Sequence, residues 1–245
     1  MRLQLIRHAT LIAEFADKRL LVDPMLSDVG AMPPIENSPN QKPNPLVPLP
    51  IPAAEVVRGI DAILVTHTHR DHWDAAATEL VPKDTIIFGQ AADETKFHEW
   101  GFTRFQTIYT SFKWDGIEIT RTGGQHGTGE IGKQMAPVSG FVLKAAKEPR
   151  LYIAGDTIWC AEVRDALKKH DPEAIVVNAG AAQFLQGDPI TMTADDVLRV
   201  ADAAAQADVI AVHMEAINHC LLTREQLRAR TLDRVRIPAD GRFAL

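Results

Sequence analysis

Residues 65–74 read VTHTHRDHWD, in which three histidines and two aspartates directly follow the apolar run AIL at 62–64. Alternate side chains of an extended segment share one face, so His67, His69 and Asp71 can converge. His72 follows where the chain turns into a helix predicted for WDAAATEL. Tetrahedral zinc takes four ligands, and a catalytic zinc site keeps one position open. Four donors on one short segment therefore predict two ions rather than one.

Strands and helices alternate on both sides of this segment. The start of the chain predicts a β-meander made of LQLIRHA, TLIAEFA and RLLVDP. Further strands are predicted for TIIFG, TRFQTI, GIEITRT, VSGFVLKA, RLYIAGD, AIVVNAG and DVIAVHM, and helices for QAADETKFHEWG, CAEVRDALKKH, TADDVLRVADAAA and TREQLRART. The run GGQHGTGEIG at 123–132 reads as a glycine-rich loop. With no composition break between the halves, we expect one α/β domain over residues 1–245.

A proline-rich segment at 28–52 interrupts this alternation. It holds eight of the fifteen prolines of the chain, which excludes a helix or a central strand. The composition predicts a long, stiff loop, and long loops inside compact domains are often functional. A surface arm, a lid over a site and a contact between subunits all remain open.

The composition limits the class of protein. The 245 residues are 46% hydrophobic and carry a net charge of −6, which argues against a broad basic surface for nucleic acid. The two cysteines, Cys160 and Cys220, are too few for a disulfide scaffold, and no apolar run approaches the length of a membrane span. We expect a soluble cytoplasmic protein that acts on a small molecule, without nucleic-acid or integral membrane partners; homo-oligomerisation is left open.

The HxHxDH motif after a strand resembles the metallo-β-lactamase superfamily of metal-dependent hydrolases. That family pattern continues with a histidine in a later loop, an aspartate after a strand and a last histidine after another strand. This chain has His126 in GGQHGTG, Asp156 in LYIAGDT and His213 in VIAVHME, in that order. The resemblance implies the fold of the family, a four-layer αββα sandwich in which two mixed β-sheets are flanked by helices.

The resemblance also implies a ligand for each metal position. His67, His69 and His126 would hold the first metal, Asp71, His72 and His213 the second, and Asp156 would bridge them. Imidazole and carboxylate ligands suit two divalent cations, zinc first, with manganese or iron as alternatives. Two cations bridged by a carboxylate and a water supply hydroxide at neutral pH, which predicts attack on an ester-type bond. Taken alone, His126 and His213 also fit a structural role, and Asp156 a helix cap.

Two segments resemble one branch of this superfamily. This branch includes L-ascorbate-6-phosphate lactonases and the phospholipase D acting on N-acyl-phosphatidylethanolamines. The two segments that are similar to it are RHATLIAEFADKRLLVDP and DPITMTADDVLRVADAAAQADVIAVHMEAINH. This resemblance implies a lactone or a phosphoester as substrate. A diiron-type oxidoreductase and a non-catalytic metal-binding module are the alternatives on the same fold. Diiron members of the superfamily usually carry a glutamate where this chain has His69.

Several neighbours of the motif are candidates for a direct role. Asp71 and His219 are the predicted catalytic residues, with His219 as proton donor to the leaving oxygen. His8 fits either a position near the pocket or a buried structural one. Trp73 fits a pocket wall or the core. Arg70 fits either contact with an anionic substrate or a surface salt bridge.

Overall fold

The computed structural model describes residues 1–135 and 137–245. Its first sheet contains β1 (Arg2–Arg7), β2 (Thr10–Phe15), β3 (Lys18–Val22), β4 (Ala62–Leu64), β5 (Ile86–Gly89) and β6 (Phe105–Thr107). The strands lie side by side in chain order. The pairs β1–β2 and β2–β3 are antiparallel, and those from β3 to β6 are parallel. The predicted meander is therefore present as the antiparallel part of a mixed sheet.

The second sheet also follows chain order. It contains β7 (Ser111–Trp114), β8 (Ile117–Thr122), β9 (Gly140–Lys144), β10 (Leu151–Ile153), β11 (Ala174–Asn178) and β12 (Asp208–Val212). Strands β7 to β10 pair antiparallel, and β10 to β12 pair parallel. The sequence pattern missed β7, whose four residues alternate between exposed and half-buried. The strand is held in place by its pairing with β8 through the turn at Asp115–Gly116, since its own side chains bury little surface.

The described part of the chain contains seven α-helices. They are α1 (Ala53–Val56), α2 (Ala75–Leu80), α3 (Glu94–Glu99), α4 (Gly129–Gln134), α5 (Ala161–His170), α6 (Ala194–Ala203) and α7 (Arg224–Thr231). Helix α4 lies where a glycine-rich loop was predicted from 123 to 132, so the second half of that prediction is wrong. In the described part of the chain, no helix is long and apolar enough to cross a membrane.

Three apolar clusters show the four layers of the sandwich. The inner cluster, with Phe15 and Phe141, lies between the sheets and takes side chains from both. A second cluster packs α1 to α3 on the first sheet around Phe97, and a third packs α5 to α7 on the second sheet around Val163 and Leu227. Neighbouring strand residues alternate between clusters, since successive side chains point to opposite faces. The structure confirms the predicted αββα architecture.

The proline-rich segment 28–52, which the structure describes throughout, contains no helix or strand. The buried Asn218 side chain accepts hydrogen bonds from Ile35 N and Asn44 Nδ2, at 2.9 and 2.8 Å. The buried guanidinium of Arg7 donates to the carbonyl oxygens of Ser27 and Val47, close to the two ends of the segment. These bonds fix the segment against the edge of the sandwich where the HxHxDH motif lies.

Candidate metal centre

The seven predicted metal ligands converge where strands of both sheets end. Together with His8, which was not predicted as a ligand, their donor atoms form three groups, each within 4.8 Å: His67, His69 and His126; His67, His72 and Asp156; and His8, Asp71, His72 and His213. The HxHxDH donors follow β4 of the first sheet, whereas Asp156 and His213 follow β10 and β12 of the second. The structure thus brings together every residue of the predicted set; their role as ligands stays a prediction.

Asp156 lies at the centre of the cluster. Its Oδ2 atom is 3.2 Å from His72 Nε2, 3.6 Å from His126 Nε2 and 3.8 Å from His67 Nε2. Its Oδ1 atom is 3.2 Å from His213 Nε2. One carboxylate therefore faces members of both predicted ligand sets, as a bridging ligand must.

Asp23, which the sequence analysis did not single out, orients two of the imidazoles. Its Oδ2 atom accepts from His72 Nδ1 at 2.9 Å and from Thr66 Oγ1 at 2.7 Å. Thr66 Oγ1 in turn lies 3.1 Å from His67 Nδ1. These contacts place the proton of each ring on Nδ1 and leave Nε2 facing the cluster, the outer-shell arrangement common around metal-binding histidines.

Two further contacts orient ligands contributed by the second half of the chain. His126 Nδ1 donates to the carbonyl oxygen of Ile190 at 2.8 Å, and Asn178 Nδ2 donates to Asp156 Oδ1 at 2.7 Å. A sequence signal existed for Asp23 and Asn178, since both lie at the carboxyl ends of buried strands, next to the predicted ligands. A backbone acceptor such as Ile190 leaves no such signal.

His8 is buried inside the site and is not merely near it. Its Nε2 atom donates to Asp71 Oδ2 at 3.1 Å, and its ring lies 3.6 Å from that of His213, centroid to centroid. Burial, with the neighbouring His213, lowers the pKa of His8 to about 3, so the ring is neutral. The residue holds a left-handed backbone, with φ of 61°, which is uncommon outside glycine. We infer that His8 orients Asp71.

The electrostatics of the cluster fit a site for cations. Burial opposes ionisation of Asp156, but His213 and His72 outweigh it and hold the pKa of this carboxyl well below its ordinary value. Burial also lowers the pKa of His72, yet Asp156 and Asp23 outweigh it and raise that pKa to about 10. The carboxylates therefore attract positive charge, as protons or as metal ions, and metal binding would release protons. The donor set of imidazole nitrogens and carboxylate oxygens fits zinc, manganese or iron.

Comparison with known proteins assigns the fold to a family. The model of the beta-lactamase superfamily domain matches residues 18–214. The protein YddR of Bacillus subtilis, described as a UPF0173 protein, is 37% identical over 249 residues, which cover 98% of each chain. The chain belongs to the UPF0173 family. This is a family of metal-dependent hydrolases with the metallo-β-lactamase fold, so the superfamily inferred from HxHxDH is confirmed, while the lactonase and phospholipase branch stays a prediction.

Two solved structures resemble this UPF0173 hydrolase over its whole length. The isothiocyanate hydrolase from Delia radicum gut bacteria is 38% identical, with a TM-score of 0.95 over 99% of this chain and 98% of the other. A possible metal-dependent hydrolase from Veillonella parvula is 33% identical, with a TM-score of 0.96 and the same coverage.

A cavity of about 300 Å³ opens onto the donor cluster of the UPF0173 hydrolase. The predicted ligands on its surface are His69, Asp71, His126 and Asp156. Ile35 and Glu36 of the proline-rich segment also line it, so this segment covers part of the site. The lid interpretation is therefore favoured over a free surface arm.

The other residues proposed from the sequence for a direct role lie either in the wall of the cavity or in the core. His219 is buried, lines the cavity, and leaves Nδ1 without a hydrogen-bond partner among the described residues. Burial lowers the pKa of His219 to about 4, so its ring is neutral at neutral pH. Arg70 also lines the cavity and donates to the carbonyl oxygen of Pro34. Trp73 is a core residue that packs against Phe97.

Replacing Asp156 with alanine should remove the contact shared by both metal positions. We expect the Asp156→Ala variant to bind less metal and to lose hydrolysis, because two nearby cations repel each other when no bridging carboxylate offsets their charge. Elemental analysis of the purified protein measures the first effect and turnover the second. The exposed Asp84→Ala variant is the control. Full metal occupancy with unchanged turnover would contradict the assignment.

Replacing His8 should weaken the second metal position selectively. Asparagine tolerates the left-handed backbone but is too short to reach Asp71, so His8→Asn should reduce affinity for the second equivalent of metal by about 10- to 100-fold. His8→Gln, whose amide can reach Asp71, should recover part of the loss. Metal titration by calorimetry separates the two equivalents, with His98→Asn at an exposed histidine as control. An unchanged second equivalent in His8→Asn would rule out the orienting role.

Proposed function

We propose that this UPF0173 hydrolase adds water to a small, uncharged electrophile that carries an apolar group, with an isothiocyanate as the favoured substrate. The observation that carries this proposal is the composition of the cavity above the donor cluster. Besides the ligands, its lining includes the apolar residues Ile35, Met135, Phe184 and Ile190. Such a cavity suits a substrate whose reactive atom meets the cluster while its apolar part contacts these side chains.

Two zinc ions are proposed for the two ligand sets. His67, His69 and His126 would hold one ion, Asp71, His72 and His213 the other, with Asp156 shared. Bound there, the ions would lower the pKa of water and polarise the substrate. Asp23, Thr66 and His8 keep the donor atoms turned toward the cluster, so little reorganisation is needed at the moment of reaction.

The reaction balances with one water. In R–N=C=S + H₂O → R–NH₂ + COS, a carbon–oxygen bond forms at the central carbon, the carbon–nitrogen bond breaks, and protons from water move to nitrogen. Charge develops on the sulfur or nitrogen during the addition. His219 lines the cavity, and its neutral ring can offer an N–H to that charge.

The charges at the cavity favour an uncharged substrate over a phosphodiester. Besides the predicted ligands and His219, the charged residues that line it are Arg70 and Glu36, one of each sign. Arg70 already donates to a backbone carbonyl, and phosphate recognition generally uses several cationic groups. The isothiocyanate hydrolase that is 38% identical over nearly the full chain supports the choice of an uncharged electrophile. A lactone also meets these conditions and is the second candidate.

A substrate panel tests the proposed reaction. Protein reconstituted separately with zinc, manganese and iron is given allyl isothiocyanate, a set of lactones and bis-p-nitrophenyl phosphate, with Asp156→Ala as the blank. We expect metal-dependent loss of isothiocyanate absorbance with release of the amine, and phosphodiester turnover no faster than the blank. Lactone turnover without isothiocyanate turnover would move the assignment to an ester hydrolase, and phosphodiester turnover alone would contradict the uncharged substrate.

Replacing His219 tests its proposed part in the reaction. His219→Ala should lower kcat by about 100-fold, the typical effect of losing one hydrogen-bond donor to developing charge, with metal content unchanged. His219→Gln, which keeps an N–H donor, should retain more of the rate. Equal kcat values in all three proteins would show that the ring only fills space.

A further inference from the structure

A second cavity adjoins the one above the donor cluster. It has a volume of about 400 Å³ and shares Met135 and Phe184 with the first cavity, so the two are neighbours along one cleft. Ile131 of α4 and the exposed Leu185 supply further apolar wall. We call this second cavity the outer chamber, defined by Ile131, Met135, Phe184 and Leu185.

The outer chamber has no charged side chain among its described lining residues. Its polar lining consists of the amides of Asn37, Gln134 and Gln186, which are neutral at every physiological pH. By contrast, seven of the residues that line the cavity above the donor cluster are charged or titratable. The chemistry of the cleft therefore changes along its length, from ionic at the cluster to neutral and apolar in the outer chamber.

Contacts between three separate segments fix the walls of the outer chamber. Leu185 N donates to the carbonyl oxygen of Asn37 at 2.7 Å, which ties one wall to the proline-rich segment. Thr128 Oγ1 donates to Asp188 Oδ2 at 3.0 Å, which ties the same wall to the start of α4. Gly187 also packs so closely on Ile131 that a Cβ there would overlap the isoleucine side chain. A cavity formed in this way is largely pre-organised for a ligand.

The wall of the outer chamber is continuous with the wall that orients a predicted ligand. Five residues beyond Leu185, the carbonyl oxygen of Ile190 accepts the hydrogen bond of His126 Nδ1. A molecule that rests on Phe184 and Leu185 thus lies on the same loop that fixes one end of the donor cluster. This continuity points to one occupant for both cavities rather than to two independent ligands.

We propose that the outer chamber binds the apolar tail of the substrate while the reactive head lies over the donor cluster. The inference rests on the proposed function and narrows its substrate class to uncharged electrophiles on an alkyl or arylalkyl chain of several carbons. A tail bearing a carboxylate or an ammonium group is disfavoured, because no lining side chain of opposite charge would offset the loss of its hydration. The chamber is a specificity-determining subsite.

A chain-length series tests this subsite on the zinc-loaded protein. Methyl, propyl, pentyl and 2-phenylethyl isothiocyanate are compared by kcat/KM, which should rise roughly fourfold for each methylene buried in the chamber. Leu185→Asp puts a charge on the apolar wall at an exposed position, so folding is retained. It should lower the ratio of kcat/KM for 2-phenylethyl over methyl isothiocyanate by about tenfold. The matched control Leu232→Asp, at an exposed leucine after α7, should leave that ratio unchanged.

A probe that does not react separates failure of this inference from failure of the proposed function. 2-Phenylethanol, with ethanol as the tail-free control, is titrated into protein labelled with ¹³C at isoleucine and methionine methyl groups. Selective shifts at Ile131 and Met135, lost in Leu185→Asp, support the chamber even if no isothiocyanate is hydrolysed. Isothiocyanate turnover whose kcat/KM does not depend on chain length would contradict the proposed role of the outer chamber. So would a probe that shifts the methyl signals of residues outside the chamber. Either result leaves the proposed function unaffected.

Discussion

The carboxylate of Asp156, enclosed by four buried imidazole rings, is the interaction on which the rest of the site depends. It faces donors from both predicted ligand sets. Several contacts fix the position of this carboxylate. Asn178 donates to one of its oxygens, and Gly155, with φ of 70°, allows the chain to pass so close to Ser139 O that no side chain would fit. Burial makes any uncompensated charge here costly, so the neighbouring groups must match it.

Most of the fold could be predicted from the sequence because most elements bury an apolar face with a clear period. The meander of β1 to β3 and helices α5 to α7 are of this kind. Two of the elements that were missed, β7 and α4, lack such a face. β7 is ordered by its partner strand. Helix α4 begins at a glycine and buries none of its residues, and contacts with residues 187 and 188 support it. Propensity is a weak guide where tertiary contacts decide.

In the candidate site too, residues within one local motif could be predicted from the sequence, whereas contacts between distant segments could not. The HxHxDH motif predicts how its own donors are arranged, because alternate side chains of an extended segment point to the same face. His126, Asp156 and His213 were assignable only through resemblance, since each is a lone residue in its own stretch. The position of Asp23 at a strand end is a sequence signal for a place near the ligands, but not for the ring that it contacts. The contact from the Ile190 carbonyl could not be predicted, because it depends on a loop that approaches His126 only after folding.

The predicted ligands come from both sheets, and this has a thermodynamic consequence. HxHxDH belongs to the first sheet, whereas Asp156 and His213 belong to the second, so a cation bound by both sets cross-links the two halves of the sandwich. The unfolded chain cannot present these donors together, so binding favours the folded state by mass action. At free metal 100-fold above the dissociation constant, the gain is about 2.7 kcal/mol. Metal supply to the cell would then set how much of the protein stays folded as well as how much is active.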